Sequence, residues 1–339
     1  TMSGATKKIL LSYKTESLEN KREKIKEFLN MVIVQQRNFQ SQISTDWQLA
    51  QVLANELITE LKKELKDLIL EVDKINLLHG APDTITDPTT DTVLDIERRG
   101  FKTGLKLLRS EVRHLGTEIN LKILQSIYEF LKLKIDMMFK TGVEDLIVED
   151  GKVKGITLEN GEQIFADDVV LTVGRDGSKW LEKTLSDKGV KSISNQVDIG
   201  VRVETSDVVM KEINEHLYEG KFIFNTSVGT QVRTFCSNPS GHVVIENHSG
   251  TMLANGHAYK DKALGSDNTN FALLVSHTFT EPFNQPNEFA HEISRLANML
   301  SNGSIVVQTY GDIKRGRRTT DKRLKESFVT PTLKEAVPG

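Results

Sequence analysis

The residue best suited to acid–base chemistry is His114, in the segment His114-Leu115-Gly116-Thr117-Glu118. Imidazole gains and loses a proton near neutral pH, which makes histidine the usual general acid or base. The segment also has a structural interpretation, because Thr117 is a suitable N-cap for the amphipathic pattern that follows it. His114 is therefore a candidate catalytic residue, and Thr117 is either a substrate contact or a helix cap.

Cys236 is the one cysteine of the sequence, so neither an intrachain disulfide nor a thiolate-cluster metal site is expected. A lone cysteine in a strand is more often a small buried apolar residue than a nucleophile. His242, His248 and His257 lie close together, but their spacing matches no zinc pattern. We predict that these histidines lie on the surface and that the chain has no metal site.

Positive charge is concentrated near the C-terminus, in Lys314, Arg315, Arg317, Arg318, Lys322 and Arg323. This cluster either binds a phosphate or is a solvated mobile loop, and the absence of interleaved aromatic residues favours the loop. The net charge of -3 argues against nucleic acid or an anionic membrane as a partner. No apolar stretch approaches the roughly 20 residues of a membrane span, so a soluble, cytoplasmic protein is predicted.

Residues 1–80 are predicted to form a helical segment of two long amphipathic helices. One pattern begins at Ser17, and the other runs from the cap cluster Ser44-Thr45-Asp46 to Gly80. The apolar stripe of the second helix has to be covered, either by the rest of the chain or by a second copy in a homodimer. We therefore expect five side chains of this stripe to be buried: Leu57, Leu61, Leu65, Leu68 and Val72.

Residues 81–190 are predicted to combine helix with a β-meander. A helical pattern covers Phe101 to Val112, and at Thr141 the apolar period changes from about 3.6 to 2. The turns Asp150-Gly151 and Asn160-Gly161 separate three strands. The nearly all-apolar run Val169–Gly174 resembles a strand buried on both faces, and a helix follows it. The predicted meander strands are Val143–Glu149, Val153–Leu158 and Gln163–Phe165.

Residues 191–339 are predicted to form a β-rich domain, which makes the whole chain α+β. The turn Asn238-Pro239-Ser240-Gly241 separates two of its strands. The predicted strands are Val197–Val203, Lys221–Phe224, Val232–Cys236, Val243–Glu246 and Ile305–Gln308. The predicted helices are Asp207–Leu217, Asn268–His277 and Asn287–Leu300.

The meander followed by Thr172-Val173-Gly174 resembles the middle of two-dinucleotide-fold flavoproteins. From about Val72 onward the chain resembles the bacterial FAD-dependent dehydrogenase (NAD-utilising dehydrogenase-like) family. The matching segments are His114–Glu118, Ile199–Glu204, Thr234–Cys236 with Asn238–Gly241, Asn255-Gly256 and Asn268–Ser276. The resemblance implies a partial α/β flavoprotein fold, with FAD near Thr172, Gly174, Arg175 and Asp176. It also implies a substrate side that includes Thr117, Arg202, Cys236 and Asn255.

The sequence departs from that family at the FAD pyrophosphate. The family's Gly-X-Gly-X-X-Gly turn is missing: the candidate strand Lys8–Tyr13 is followed by Lys14-Thr15-Glu16. The final FAD-contacting part is also missing before Gly339. FAD is thus implied but tight binding is not expected, and two functions stay open. The chain is a relative or part of a FAD-dependent oxidoreductase acting on an unknown small molecule, or it is a cofactor-free, partner-binding module.

Overall fold

A computed structural model describes residues 43–339 of the chain, with side-chain environments from residue 59 onward. The predicted strand Lys8–Tyr13 and the helix from Ser17 lie outside the described residues. The chain divides into two compact units between His79 and Gly80. Helices and antiparallel sheets occur together, which confirms the predicted α+β class. None of the helices in residues 43–339 is long and apolar enough to cross a bilayer.

The described part of the first unit is one long helix, α1 (Ile43–Leu78). The predicted cap residues Ser44-Thr45-Asp46 lie inside this helix and do not begin it. In the single chain the apolar stripe is exposed at Leu65, which is 58% exposed, and also at Leu68 and Val72, so these side chains are not buried as they would be if the rest of the chain covered them. Leu61 is half-buried, and the side chain of Leu57 lies outside the described part. Within the described part of the chain these side chains stay exposed, and their burial in a homodimer stays a prediction.

The second unit is built around a five-stranded antiparallel sheet in the order β1-β6-β7-β10-β5. Its strands are β1 (Leu105–Leu108), β5 (Val197–Ser206), β6 (Lys221–Asn225), β7 (Gln231–Asn238) and β10 (Asn268–His277). The sequence-based prediction of a helix over Asn268–His277 is wrong, because this segment pairs along its length with β5 and also with β7. Its short apolar run fits a buried strand as well as a helix, and the two neighbouring strands decide between them.

Two helices pack against this sheet: α2 (Asp91–Lys102) contacts the edge strand β1, and α5 (Asp207–His216) contacts β5 and β10 and also α2. The predicted helix over Phe101–Val112 is wrong, because α2 ends at Lys102 and Gly104 takes a left-handed conformation (φ 80°) before β1. β1 then pairs with β6. A small apolar core forms here from Val93, Ile96, Leu107 and Leu217, against which Ile213 and Phe222 pack.

The predicted meander is confirmed as β2 (Val143–Glu149), β3 (Lys152–Leu158) and β4 (Gln163–Phe165). The helix α3 (Thr117–Leu131) precedes it and α4 (Ser178–Asp187) follows it. The predicted buried strand Val169–Gly174 does not form. Val170 is 83% exposed, and no neighbouring strand supplies hydrogen bonds to this run. An apolar run becomes a buried strand only when neighbouring strands of a sheet form backbone hydrogen bonds with it.

The sequence-based reading missed the strand β9 (Thr251–His257), which pairs with β8 (His242–His248) as an antiparallel hairpin. β9 packs against β5 and β7 of the large sheet. Helix α6 (Pro286–Leu300) lies against β9, where Asn298 exchanges hydrogen bonds with the backbone of Met252. The remaining elements are β11 (Val306–Val307) in parallel with β12 (Val337–Pro338), a short 3-10 turn (Lys262–Leu264), α7 (Tyr310–Lys314) and α8 (Asp321–Lys325).

Candidate functional site

The polar centre of the second unit is the guanidinium of Arg202, which projects from β5 toward the β8–β9 hairpin. Its Nη1 donates to the carbonyl oxygen of Cys236 (2.9 Å) and to Asn270 Oδ1 (3.1 Å). Its Nη2 donates to Asn255 Oδ1 (3.2 Å). All three acceptors are neutral oxygens, so the hydrogen bonds hold the cation without neutralising it.

Neighbouring strands position the acceptors around Arg202. Asn270 in β10 has a fully buried side chain, and the β10–β7 pairing is irregular between Asn270 and Ala272. Asn238 Nδ2 donates to Asn270 Oδ1 (3.3 Å) and to the carbonyl oxygen of Cys236 (2.8 Å). Cys236 has a positive φ of 49°, which departs from a regular strand and accompanies the turn of its carbonyl into the cluster. We call Arg202, Cys236, Asn238, Asn255 and Asn270 the arginine cluster.

Two hydrogen-bond donors of the arginine cluster have no partner among the residues that the structure describes. Arg202 Nε and Asn270 Nδ2 are both buried, and neither meets an acceptor. The orientation of the Asn270 amide is fixed, because its oxygen must face the two donors from Arg202 and Asn238. A buried donor without an acceptor costs free energy, so these two groups make the cluster less stable than a fully paired one would be.

A chain of polar contacts joins the arginine cluster to the segment that the resemblance places near FAD. Arg175 forms an ion pair with Glu246 of β8, and Glu246 Oε2 accepts from Asn255 Nδ2 (2.7 Å). Burial acts to raise the pKa of Glu246, but the hydrogen bonds from Arg175 and Asn255 outweigh it and hold that pKa below its ordinary value. Glu246 is thus an anion that fixes Arg175 at one end and Asn255 at the other.

His114 lies against the aromatic ring of Tyr218, with 3.8 Å between ring centroids. Burial lowers the pKa of His114, and the positive charge of Lys260 adds to this effect, so the imidazole is neutral at pH 7. Burial raises the pKa of Tyr218, as do the neighbouring Cys236 and Glu118. His114 Nε2 is buried without a partner. The ring is therefore a neutral group close to the arginine cluster, through Tyr218 and Cys236.

The segment after His114 differs from its prediction. The N-cap of α3 is Gly116, so the prediction that Thr117 caps the helix is wrong. The Thr117 hydroxyl and backbone N–H both donate to the carbonyl oxygen of Ala258 (3.3 and 3.1 Å). Glu118 Oε1 accepts from the backbone N–H groups of Lys260 (2.8 Å) and Asp261 (3.0 Å). These contacts tie the start of α3 to the end of β9.

The structure brings together four of the predicted site residues, Arg175, Arg202, Cys236 and Asn255, whereas His114 stacks on Tyr218, which interacts electrostatically with Cys236. Thr172, Gly174 and Asp176 are exposed and do not contact the arginine cluster. The sequence reasoning did not select Asn238 and Asn270, which belong to the arginine cluster. It also did not select Glu246, which joins that cluster to Arg175. Asn238 lies in a segment that was predicted to be a turn, and Asn270 lies in one that was predicted to be a helix. Nothing in the sequence distinguishes Glu246 from a surface acid.

The residues around Gly174 fit only part of a FAD molecule. Gly177, at the start of α4, provides no side-chain cap; the Ser178 N–H donates to the Arg175 carbonyl oxygen (3.1 Å), which leaves the N–H groups of Lys179 and Trp180 as the donors of the first turn near Arg175. No glycine-rich turn that could hold a pyrophosphate occurs within residues 43–339. The described residues therefore do not form a complete FAD site.

The other predicted clusters have structural roles. His242 Nε2 lies 3.0 Å from the carbonyl oxygen of Leu264, and the described side chains, from residue 59 to residue 339, contain no group of three potential metal ligands. The basic cluster is not simply a solvated loop, because Asp312 is 1% exposed and binds Arg317 Nε (2.5 Å) and Arg323 Nε (3.1 Å). A groove of about 650 Å³ lies along β8, between His242 and Leu333, outside the arginine cluster.

Comparison with known proteins gives one short relationship. No family model matches the chain. The chain is 46% identical over 63 residues to the tRNA uridine 5-carboxymethylaminomethyl modification enzyme MnmG of Acholeplasma laidlawii, and the match covers 16% of this chain and 10% of that protein. The chain thus spans about a tenth of the length of this relative. The match supports a relationship to FAD-dependent flavoproteins and does not extend to a dehydrogenase subtype.

Proposed function

We propose that this chain supplies the substrate side of a FAD-dependent oxidoreductase that transfers hydride between flavin and a small molecule. The observation that carries the proposal is the contact chain Arg175–Glu246–Asn255–Arg202. It connects the flavin-facing segment, as the resemblance defines it, to a buried cationic cluster with unfilled donors. The flavin would supply the redox chemistry, and Arg202, Asn255 and Cys236 would bind and orient the substrate.

His114 is the residue that we propose for proton transfer at this site. Its neutral ring has an unpartnered buried nitrogen, which can accept a proton or a hydrogen bond from a substrate. Stacking on Tyr218 fixes the plane of the ring. Thr117 would act indirectly, because its hydrogen bonds to Ala258 anchor the segment that carries His114.

The relative's name states that MnmG modifies tRNA uridine, and we do not extend that substrate to this chain. The matched segment is 10% of that enzyme, and the net charge of this chain is -3. Two arginines of the basic cluster are also committed to Asp312. These features favour a small molecule over a nucleic acid. A cofactor-free, partner-binding module is the alternative, and a cytoplasmic location stays a prediction.

A comparison of flavins tests the proposal. Because residues 43–339 provide no pyrophosphate turn, we expect FAD and riboflavin to bind with similar dissociation constants, within about threefold, and no more tightly than about micromolar. Quenching of flavin fluorescence by the purified protein measures both constants. Arg175→Glu should weaken both flavins, while Lys106→Glu on β1, an exposed position with the same charge change away from α4, serves as the matched control.

Two results would contradict this expectation in different ways. Binding of FAD more than about tenfold tighter than riboflavin, a difference of about 1.4 kcal/mol, would mean that a pyrophosphate site exists. If neither FAD nor riboflavin binds at the highest soluble concentration, the cofactor-free module becomes the better description.

A further inference from the structure

Helix α1 carries an apolar stripe that is exposed in the described part of the chain. The helix runs over Ile43–Leu78, and its 36 residues extend about 54 Å at a rise of 1.5 Å per residue. Leu65, Leu68, Val72 and Ile75 are all exposed along it. Most of the stability of a helix in a protein comes from packing of its apolar face. The stripe is therefore a surface that a partner would cover.

The spacing of the stripe is that of a coiled coil. A repeat of seven residues with apolar side chains at positions a and d keeps one seam along a helix that supercoils with another. In α1, Leu65 and Val72 occupy position a, and steps of three and four residues separate them from the d positions. The seam positions with described side chains are Leu61, Leu65, Leu68, Val72 and Ile75.

This seam fits a second copy of the same helix. Each a or d side chain of a coiled coil inserts between four side chains of the facing helix, so a seam of this kind is complementary to itself. β-branched residues at a, together with leucine at d, favour two strands over three or four. Ile58 continues the spacing in the sequence, and with Val72 it makes two of the three a residues β-branched. Leu61 and Leu68 are two of the three d residues.

The charges beside the seam favour a parallel pair over an antiparallel one. Glu64 and Glu71 both occupy position g, directly before an a residue. In an antiparallel pair position g faces position g, which sets Glu64 of one copy against Glu71 of the other. In a parallel pair g faces position e of the second copy, where Ile69 and Asn76 stand. Only the antiparallel pair contains this like-charge repulsion, and charges at e and g set orientation in coiled coils.

We propose that α1 of two copies forms a parallel, in-register, two-stranded coiled coil whose seam runs from Leu61 to Ile75. The coiled coil gives the predicted homodimer a defined architecture, in which both copies leave the seam at the same end. This inference goes beyond the proposed function, because the association of two copies through α1 does not involve the flavin-facing segment.

Cysteine cross-linking of the full chain, with dissolved oxygen as the oxidant, tests this geometry. In a parallel, in-register pair, a cysteine at position a lies beside its own copy, where the separation of the Cβ atoms suits a disulfide. Val72→Cys should therefore give a disulfide-linked dimer. Leu70→Cys, at position f on the opposite side of the helix, is the matched control and should cross-link at least tenfold more slowly. The unmodified chain, with Cys236 alone, gives the background.

A second variant keeps the test independent of the folding of the first. Leu61→Cys, at position d, should also cross-link to its own copy. An antiparallel pair that sets Leu65 against Leu68 would instead place Val72 opposite Leu61, with the two copies of Val72 about 16 Å apart along the axis. In that case a mixture of the two variants would cross-link, and neither variant alone would do so.

Light scattering gives the mass of the unmodified chain, which should be twice 38.1 kDa. A monomer at about 50 µM would overturn the proposal, and so would a trimer or a tetramer. Equal cross-linking rates for Val72→Cys and Leu70→Cys would show that the seam is not formed. Cross-linking confined to the mixture of Val72→Cys and Leu61→Cys would show an antiparallel pair and would equally reject the proposal.

Discussion

Gly256→Ala is the substitution that most directly tests the packing of the arginine cluster. A Cβ at this position would overlap Asn270 Oδ1 and Asn238 Nδ2 and would lie 2.7 Å from Arg202 Nη1. Gly256 does not have a left-handed φ, so the backbone accepts alanine without strain. The effect of the substitution therefore comes from crowding of polar side chains that have no free space to enter.

The size of the expected stability loss follows from the side chains that the added methyl group displaces. Overpacking a well-filled interior costs typically 1–3 kcal/mol. The Arg202–Asn270 and Asn238–Asn270 hydrogen bonds would also lengthen, and each contributes about 1 kcal/mol. We expect the free energy of unfolding to fall by about 3–5 kcal/mol, and the melting temperature of the second unit to fall by at least about 6 °C.

Calorimetry and urea denaturation measure this loss, and Gly100→Ala is the matched control. Gly100 lies inside α2, where the nearest atoms to an added Cβ are 3.6 Å away, an ordinary contact distance. Alanine should therefore be neutral there or stabilise the helix by up to about 1 kcal/mol. A loss of less than about 1 kcal/mol for Gly256→Ala would show that the amides can move aside, and that the cluster is not rigid.

Two further predictions concern Asp312 and helix α1. Burial acts to raise the pKa of Asp312, but hydrogen bonds from Arg317, Thr319 and Arg323 outweigh it and lower that pKa, so Asp312→Asn should lower the melting temperature at pH 7. The difference from the unmodified chain should persist above about pH 4 and disappear as the pH falls further and the carboxyl takes up a proton; a difference independent of pH would contradict the role of its charge. The exposed Leu65 and Leu68 of α1 are expected to meet a second copy of the chain, so changing both to Asp should convert a dimer to a monomer in light scattering; an unchanged mass would reject the homodimer.

The local pattern of the sequence was sufficient for the meander and for several helices. Alternating apolar residues separated by Asp150-Gly151 and Asn160-Gly161 predicted β2, β3 and β4, because two-residue turns with glycine fix both the ends and the pairing of neighbouring strands. The helices α3, α5 and α6 were also predicted close to their observed bounds. In each case the information lies within a few residues along the chain.

The same local rules were wrong where long-range pairing decides the structure. Asn268–His277 is a strand because β5 and β7 pair with it on either side. Val169–Gly174 is not a strand because no described strand pairs with it, and Val170 is exposed there. Both segments are short apolar runs, which periodicity alone cannot assign. The difference between them is the set of neighbouring strands, which come from distant parts of the sequence.

For the candidate site, too, the sequence identified some features and the tertiary structure identified others. The residue types and the resemblance were sufficient to select His114, Arg202, Cys236 and Asn255. Only the tertiary structure decided that Asn255 holds Arg202 from a hairpin 53 positions away, and that Glu246 joins Asn255 to Arg175. Hydrogen bonds depend on atoms within about 3 Å, and the sequence carries no distance between residues on different strands. The unfilled donors of Arg202 and Asn270 became apparent only when every neighbouring acceptor had a position.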